Sequence, residues 1–158
     1  MFHIVLHEPE IPHNAGAAGR LALATGSTLH LIEPLGFSLD DKHVRRTGLD
    51  YWREVNLRVW HSFGELRQAA DCGAGFWYLS TQASATPWQA TFRPGDYLVF
   101  GAETRGLPDD LVTAAGAHAL RIPMEPGGTR SLNLATTVAI VVYEALRQQN
   151  PEWSAATT

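Results

Sequence analysis

Short apolar and β-branched runs recur along the chain at Ile4 to Leu6, Leu29 to Ile32, Val55 to Trp60, Phe76 to Leu79, Tyr97 to Phe100 and Ala119 to Ile122. Each has the length of a strand and helical patterns fall between them. The alternation predicts an α/β fold, a mostly parallel sheet flanked by helices on both faces. The first helix is predicted to start at Asn14 as its N-cap, after Pro12, and to stop at Gly26, with Ala17, Ala18, Leu21 and Thr25 along one face. Gly16 and Gly19 on that helix would let another backbone come close. A short helix should follow Pro108, which suits a first helical position, with Asp109 and Asp110 at its positive end and Gly116 after it. From Ser131 to Gln148, the positions Leu134, Val138, Val141 and Ala145, with Ala135, Val142 and Leu146, form a broad apolar stripe at spacings of three and four. Its valines and isoleucine locally favour a strand, but length and periodicity decide for helix. So wide a stripe needs cover on more than one side. The helix is either central to the monomer or part of a dimer interface, and the pattern does not separate the two. After Asn150-Pro151 the chain turns small and polar, which predicts one domain over 1–150 and a flexible tail over 151–158.

Size and composition narrow the class. A chain of 158 residues, 45% hydrophobic, fits a single compact domain. No apolar run reaches the roughly 18 residues needed to span a bilayer. The N-terminus runs straight into His3-Ile4-Val5-Leu6 without the features of a signal peptide, so no membrane association is expected. Cys72 is the only cysteine, which excludes an internal disulfide and fits a reducing, cytoplasmic setting. The seven histidines are scattered, none at metal-ligand spacing from another histidine or from the cysteine, and no metal site is expected. A net charge of −4 argues against a protein that coats nucleic acid. Local patches remain: eleven of the twelve cations are arginine, and six of the twelve lie between Arg20 and Arg58. They suit phosphate, although a solvated surface explains them equally well.

In an open parallel sheet, ligands bind beyond the carboxyl ends of the strands. Three strand-end loops stand out. They are Glu8 to Asn14, leading into the helix that carries Arg20; Phe100 to Pro108; and Ile122 to Asn133. Gly101 and Gly106 have the glycine spacing of a P-loop, but Leu107-Pro108 replaces the Lys-[Ser/Thr] that would hold phosphate and magnesium. Asn14-Ala15-Gly16-Ala17-Ala18-Gly19 is a weak match to a dinucleotide fingerprint, approached by a long proline-interrupted loop instead of a tight glycine turn.

In this order and on this strand pattern, the three loops resemble the signature motifs of the SPOUT RNA methyltransferases. They are Asn14 through Arg20; Phe100-Gly101-x-Glu103-x-x-Gly106-Leu107-Pro108; and Ile122-Pro123-Met124 followed by Ser131-Leu132-Asn133. The resemblance covers nearly the whole chain and is greatest to the minimal single-domain TrmL (YibK) type, which methylates the ribose of the wobble nucleotide 34 in tRNA. Glu8 to Pro12, Ile32 to Phe37, Asp41-Lys42, Arg45-Arg46, Gly48 to Tyr51 and Val142 to Ala145 are also similar to that branch.

The resemblance implies an α/β-knot, a trefoil in which the segment from about Ile122 to Gln148 threads a preceding loop, against the usual rule for protein chains. It also implies a homodimer whose site is completed across the interface. S-adenosyl-L-methionine would be held by Leu79, Ser80, Thr81, Gly101, Glu103, Gly106, Ile122, Met124, Ser131 and Asn133. Carried over residue by residue, Arg20, Asn14, Glu103, Ser131 and Asn133 form the catalytic set. Activation of the 2′-hydroxyl is proposed in the superfamily for the arginine matching Arg20, but a guanidinium is a poor base. Gripping the adjacent phosphate and orienting the hydroxyl is the role favoured here, with the proton leaving through phosphate or water. No covalent intermediate is needed, so Cys72 reads as an inert core residue. Lys42, Arg45 and Arg46 are the residues expected to meet the tRNA anticodon arm, with Arg130, Tyr143 and Arg147 as further RNA contacts. No basic residue follows Arg147, unlike the tails of many relatives.

Overall fold

A computed structural model describes residues 1–39 and 51–154. Lys42, Arg45 and Arg46 lie outside the described residues. Six strands, β1 (His3–His7), β2 (Thr28–Ile32), β3 (Leu57–Trp60), β4 (Phe76–Leu79), β5 (Tyr97–Phe100) and β6 (Ala119–Leu120), form one sheet in the order β3-β2-β1-β5-β4-β6. Every neighbouring pair among them is parallel. The helices are α1 (Pro12–Thr25), α2 (Phe63–Ala69), α3 (Asp109–Ala115) and α4 (Leu134–Gln149).

Side-chain alternation along the inner strands builds two cores. Ile4 and Leu6 of β1, Leu29 and Leu31 of β2, and Leu98 and Phe100 of β5 face α1 and α4. Val5, Ile32, Tyr97 and Val99 point the other way, toward Phe63 and Leu66 of α2. With both faces covered, these strands read as nearly continuous apolar runs. The stripe on the last helix is covered within the monomer: Val138, Val141, Val142 and Ala145 are fully buried with Ala15, Ala18 and Ala22 of α1. That answers, for this face, the choice between core and dimer interface.

Several boundaries move. Helix α1 begins at Pro12, with Ile11 as its N-cap, so Asn14 lies inside the first turn and is not the cap. Proline at the first helical position sacrifices no hydrogen bond, which draws the start forward and frees the Asn14 side chain for other work. The neighbour of Gly19 is a side chain, not a backbone: a Cβ there would stand 2.4 Å from the Trp52 ring. Pro108 is the N-cap of α3 and precedes its first helical residue. Cys72 is exposed, in the turn between α2 and β4, and is not a core residue. The expected strand at Val55 starts only at Leu57, because Val55 closes a 3-10 turn on the Trp52 carbonyl. Helix α2 was not singled out in the sequence, although Ser62 caps it by accepting the Glu65 N–H at 3.2 Å. The start of the 151–158 segment, Pro151–Ser154, forms a 3-10 turn.

On β2 the buried His30 joins a polar cluster with the half-buried His3 and Trp60 of the neighbouring strands. The Trp60 indole N–H donates to His30 Nδ1 at 3.0 Å, so His30 carries its proton on Nε2 and donates it to His3 Nδ1 at 2.9 Å. Burial, with His3 and Arg58 nearby, pushes the His30 imidazole down to about 3. The unfolded chain therefore takes up a proton first, near 6.5, the ordinary value for an imidazole. Stability from this site is fully present above that pH and is lost progressively as the pH falls toward the folded value. Between pH 6.5 and 4.5 the expected loss is about 2–3 kcal/mol. Urea unfolding at both pH values measures it. His30→Gln, which can still accept from Trp60 and donate to His3, should flatten the slope, and an equal slope in that variant would refute the assignment.

Candidate active site

The carboxyl ends of β5, β4 and β6 open into a cavity of about 710 Å³, within the usual range for small-ligand sites. Its walls come from the three loops singled out in the sequence and from the loop after β4. All ten residues assigned to the methyl donor line it: Leu79, Ser80, Thr81, Gly101, Glu103, Gly106, Ile122, Met124, Ser131 and Asn133. Asn14 and Arg130 line it as well.

Glu103 joins the loops. Its carboxylate accepts the Glu10 N–H at 2.7 Å, the Ile11 N–H at 3.1 Å and the Asn14 side-chain amide at 3.0 Å. These donors belong to the loop and first turn before and within α1, so Glu103 caps a helix remote in sequence and does not merely close its own glycine turn. The Asn14 carbonyl oxygen in turn accepts from the Asn133 amide at 2.9 Å, and Asn133 caps α4 by accepting the Thr136 N–H at 3.3 Å. A single chain of hydrogen bonds thus ties the loops after β1, β5 and β6 together. The helix N-termini supply donors, and the carboxylate suits their dipole.

A second tie runs in reverse. The Glu10 carboxylate accepts from the Thr104 N–H and hydroxyl, both at 2.8 Å, and these bonds, with Arg105 behind them, hold it below the usual carboxylate range. Arg105 also donates to Glu8 at 3.0 Å, and Glu8 itself adopts φ of 51°. A non-glycine residue in that region is held by its surroundings, here the junction of β1 with the site loop. Neither Glu10 nor Arg105 was picked out as a site residue from the sequence. The repeated acidic Glu8-Pro9-Glu10 stretch was the available signal.

Glu103→Gln measures the first tie. An amide turns one acceptor atom into a donor facing an N–H, which costs about 1–3 kcal/mol. The expected outcome is a melting temperature lower by several degrees and donor affinity reduced about tenfold, read by calorimetry.

Other predicted residues lie apart. Arg20 is exposed on α1 and does not line the cavity. Arg147 donates two hydrogen bonds to the buried Glu144 carboxylate, at 2.8 and 2.9 Å. Tyr143 is exposed, its ring 6.5 Å from that of Trp153. Neither of these reaches the cavity. Among the described residues, no group of three or more His, Cys, Asp or Glu side chains is placed to hold a metal ion.

Comparisons with known proteins find relatives along nearly the whole chain. A family model described as the SpoU rRNA Methylase family matches residues 1–143. A tRNA (cytidine(34)-2′-O)-methyltransferase from Polaromonas sp. (strain JS666) is 51% identical over 150 residues, covering 94% of this chain and 91% of the relative. A solved structure described as giving structural insights into the 2-OH methylation of C/U34 on tRNA superposes with a TM-score of 0.89 at 48% identity, covering 96% of this chain and 97% of the other. The SpoU methyltransferase AviRb from Streptomyces viridochromogenes, solved with AdoMet, superposes with a TM-score of 0.79 at 25% identity, over 93% of this chain and 57% of that one.

Proposed function

Because the chain belongs to the SpoU rRNA methylase family, we propose that it transfers a methyl group from S-adenosylmethionine to the ribose 2′-hydroxyl of the wobble nucleotide 34, a cytidine or modified uridine, in tRNA. The observation that carries this reading is the convergence of all ten donor residues on one cavity, closed by the Glu103, Asn14 and Asn133 bonds. The cavity fits the donor by its size and by its mixed polar and apolar lining, with Ser80, Thr81 and Asn133 beside Leu79, Ile122 and Met124. When bound there, the donor supplies an electrophilic methyl group. The protein has to hold it in line with one ribose oxygen and let that oxygen lose its proton. In this reading Glu103, Asn14 and Asn133 fix the loop positions, Ser131 stands at the cavity edge, and Arg20 grips the neighbouring phosphate while the proton leaves to phosphate or water.

The active unit is a homodimer in this proposal, since an exposed Arg20 outside its own cavity can serve one in a second copy. Arg130, at the cavity, contacts RNA, as do Tyr143 and Arg147, and Lys42, Arg45 and Arg46 meet the anticodon arm. A trefoil path is supported by the way residues 80–92 wrap β6 and α4. Arg121 N–H donates to Ala85 O at 2.7 Å, Phe92 N–H donates to the Gln148 side chain at 3.0 Å, and Gln149 donates to Phe92 O at 2.9 Å. Among the described residues no helix is long and apolar enough to cross a membrane, and the cytoplasm, where tRNA is modified, is the proposed location.

Nucleoside mapping by mass spectrometry tests the function. The purified chain, given S-adenosylmethionine and either tRNA or ribosomal RNA, should place a 2′-O-methyl group at nucleotide 34 of tRNA. Methylation confined to a base, or to ribosomal RNA, would overturn the proposal.

A further inference from the structure

The mouth of the cavity carries more positive charge than its own contacts use. Arg105, Arg121 and Arg130 all contribute to its lining. Arg105 is committed to Glu8 and lies 3.8 Å from Glu10. Arg121 and Arg130 are exposed, and neither guanidinium has a hydrogen-bonding, ionic or aromatic partner among the described residues. Among the described residues, the one carboxylate that lines the cavity, Glu103, is taken up by three donors from the α1 side. On an ordinary surface a solvated arginine carries no meaning. Two at the entrance of a ligand cavity, with their planar donor forks uncommitted, mark where anionic groups dock.

Charge decides which anion. At neutral pH, S-adenosylmethionine has a sulfonium, an ammonium and a single carboxylate, so it is a net cation. One guanidinium could pair with that carboxylate, leaving the second to face positive charge. An RNA nucleotide whose 2′-hydroxyl enters the cavity brings a phosphate on each side of its ribose. Resting on the proposed function, we infer that Arg121 and Arg130 form a clamp on the two phosphates flanking the target ribose, one of which they share with Arg20. The two arms differ in stiffness. Arg121 directly follows β6, its backbone N–H bound to Ala85 O at 2.7 Å, whereas Arg130 follows Gly127 and Gly128, with Gly127 at φ of 80°. One arm thus sets the register and the other adapts to the second phosphate. A chain of net charge −4 has little general attraction for RNA, which makes local contacts of this kind the main source of affinity.

The test compares the full chain with Arg121→Gln, Arg130→Gln, the double variant, the double lysine variant, and Arg93→Gln as a control from the segment before β5, at the other end of the sheet. Filter binding to tRNA over a series of salt concentrations, calorimetry with S-adenosylmethionine, and kcat and KM for tRNA are measured on each. Each single variant should weaken tRNA binding about tenfold and the double about a hundredfold. The slope of log affinity against log salt should be shallower by about two in the double variant, because each lost phosphate contact removes about one. Donor affinity should stay within about twofold, the lysine pair should keep the salt slope, and Arg93→Gln should match the unaltered chain. An unchanged slope in the double variant overturns the clamp. So does a tenfold loss of donor affinity, which would assign one arginine to the donor's carboxylate. Binding is read without turnover, so the two proposals fail separately. Binding through these arginines without methylation of nucleotide 34 refutes the function and keeps the clamp; normal methylation and binding without them does the reverse.

Discussion

Gly101→Ala is expected to abolish donor binding and methyl transfer together. A Cβ at this position would stand 2.1 Å from Gly106 C, 2.2 Å from Leu107 N and 2.5 Å from Gly106 O, all of them backbone atoms that no rotamer change can move aside. The loop is closed there by the Gly106 N–H donating to Ala102 O at 2.8 Å, with Gly106 in the left-handed region at φ of 70°. Making room means opening the turn, and the turn carries Glu103. Its three bonds to Glu10, Ile11 and Asn14 would weaken with it. We expect a stability loss of about 3 kcal/mol or more and a fall in melting temperature on the order of 10 °C. Donor affinity should fall by at least about a hundredfold, a loss of some 3 kcal/mol in binding. Gly64→Ala is the matched control: its Cβ would meet only Ser62 Oγ at 3.7 Å, inside α2, and should leave stability unchanged or raise it by about 0.5–1 kcal/mol. A Gly101→Ala protein with normal donor affinity would show that the cavity is not the donor site.

The contrast between these two glycines reflects what was legible in the sequence. Strand positions and sheet class came from the apolar runs because period and burial act locally: Ile4, Leu6, Leu98 and Phe100 fall on one face and Val5, Tyr97 and Val99 on the other. The ten residues proposed to hold the donor come from motif resemblance, and the structure places all ten along one cavity. What the sequence misplaced depends on contacts between distant segments. Asn14 looked like a helix cap because asparagine commonly is one; its actual partners, Glu103 and Asn133, are 89 and 119 residues away. Glu10 and Arg105 were overlooked for the same reason, since an ion pair across two loops leaves no periodic trace. Cys72 reads as a core residue because the chemistry needs no covalent intermediate, yet Gly73 at φ of 95° turns the chain at the surface there. Arg121 draws no attention in the sequence because it falls inside the apolar run from Ala119 to Ile122, and only the assembled cavity shows that its guanidinium is uncommitted.

Arg20→Ala should have the opposite signature to Gly101→Ala. Because Arg20 stands outside the cavity lining, donor affinity should be unchanged while methyl transfer falls about a thousandfold, roughly 4 kcal/mol of transition-state stabilisation. Calorimetry showing collapsed donor binding would contradict this. The same exposure sets up a second measurement, on which copy the arginine serves. Ser131→Trp, placed at the exposed cavity edge, should block the donor without disturbing the core. Mixed with Arg20→Ala, it yields heterodimers in which one open cavity is faced by the partner's intact Arg20. If the arginine acts across the interface, random mixing restores about a quarter of the unaltered activity, since half of the dimers then hold one working site. If it acts within its own chain, each subunit lacks one of the two requirements and mixing restores nothing. Recovery on mixing would thus join an arginine at the surface of α1 to a cavity it does not line, and place the reacting ribose between two copies of the chain.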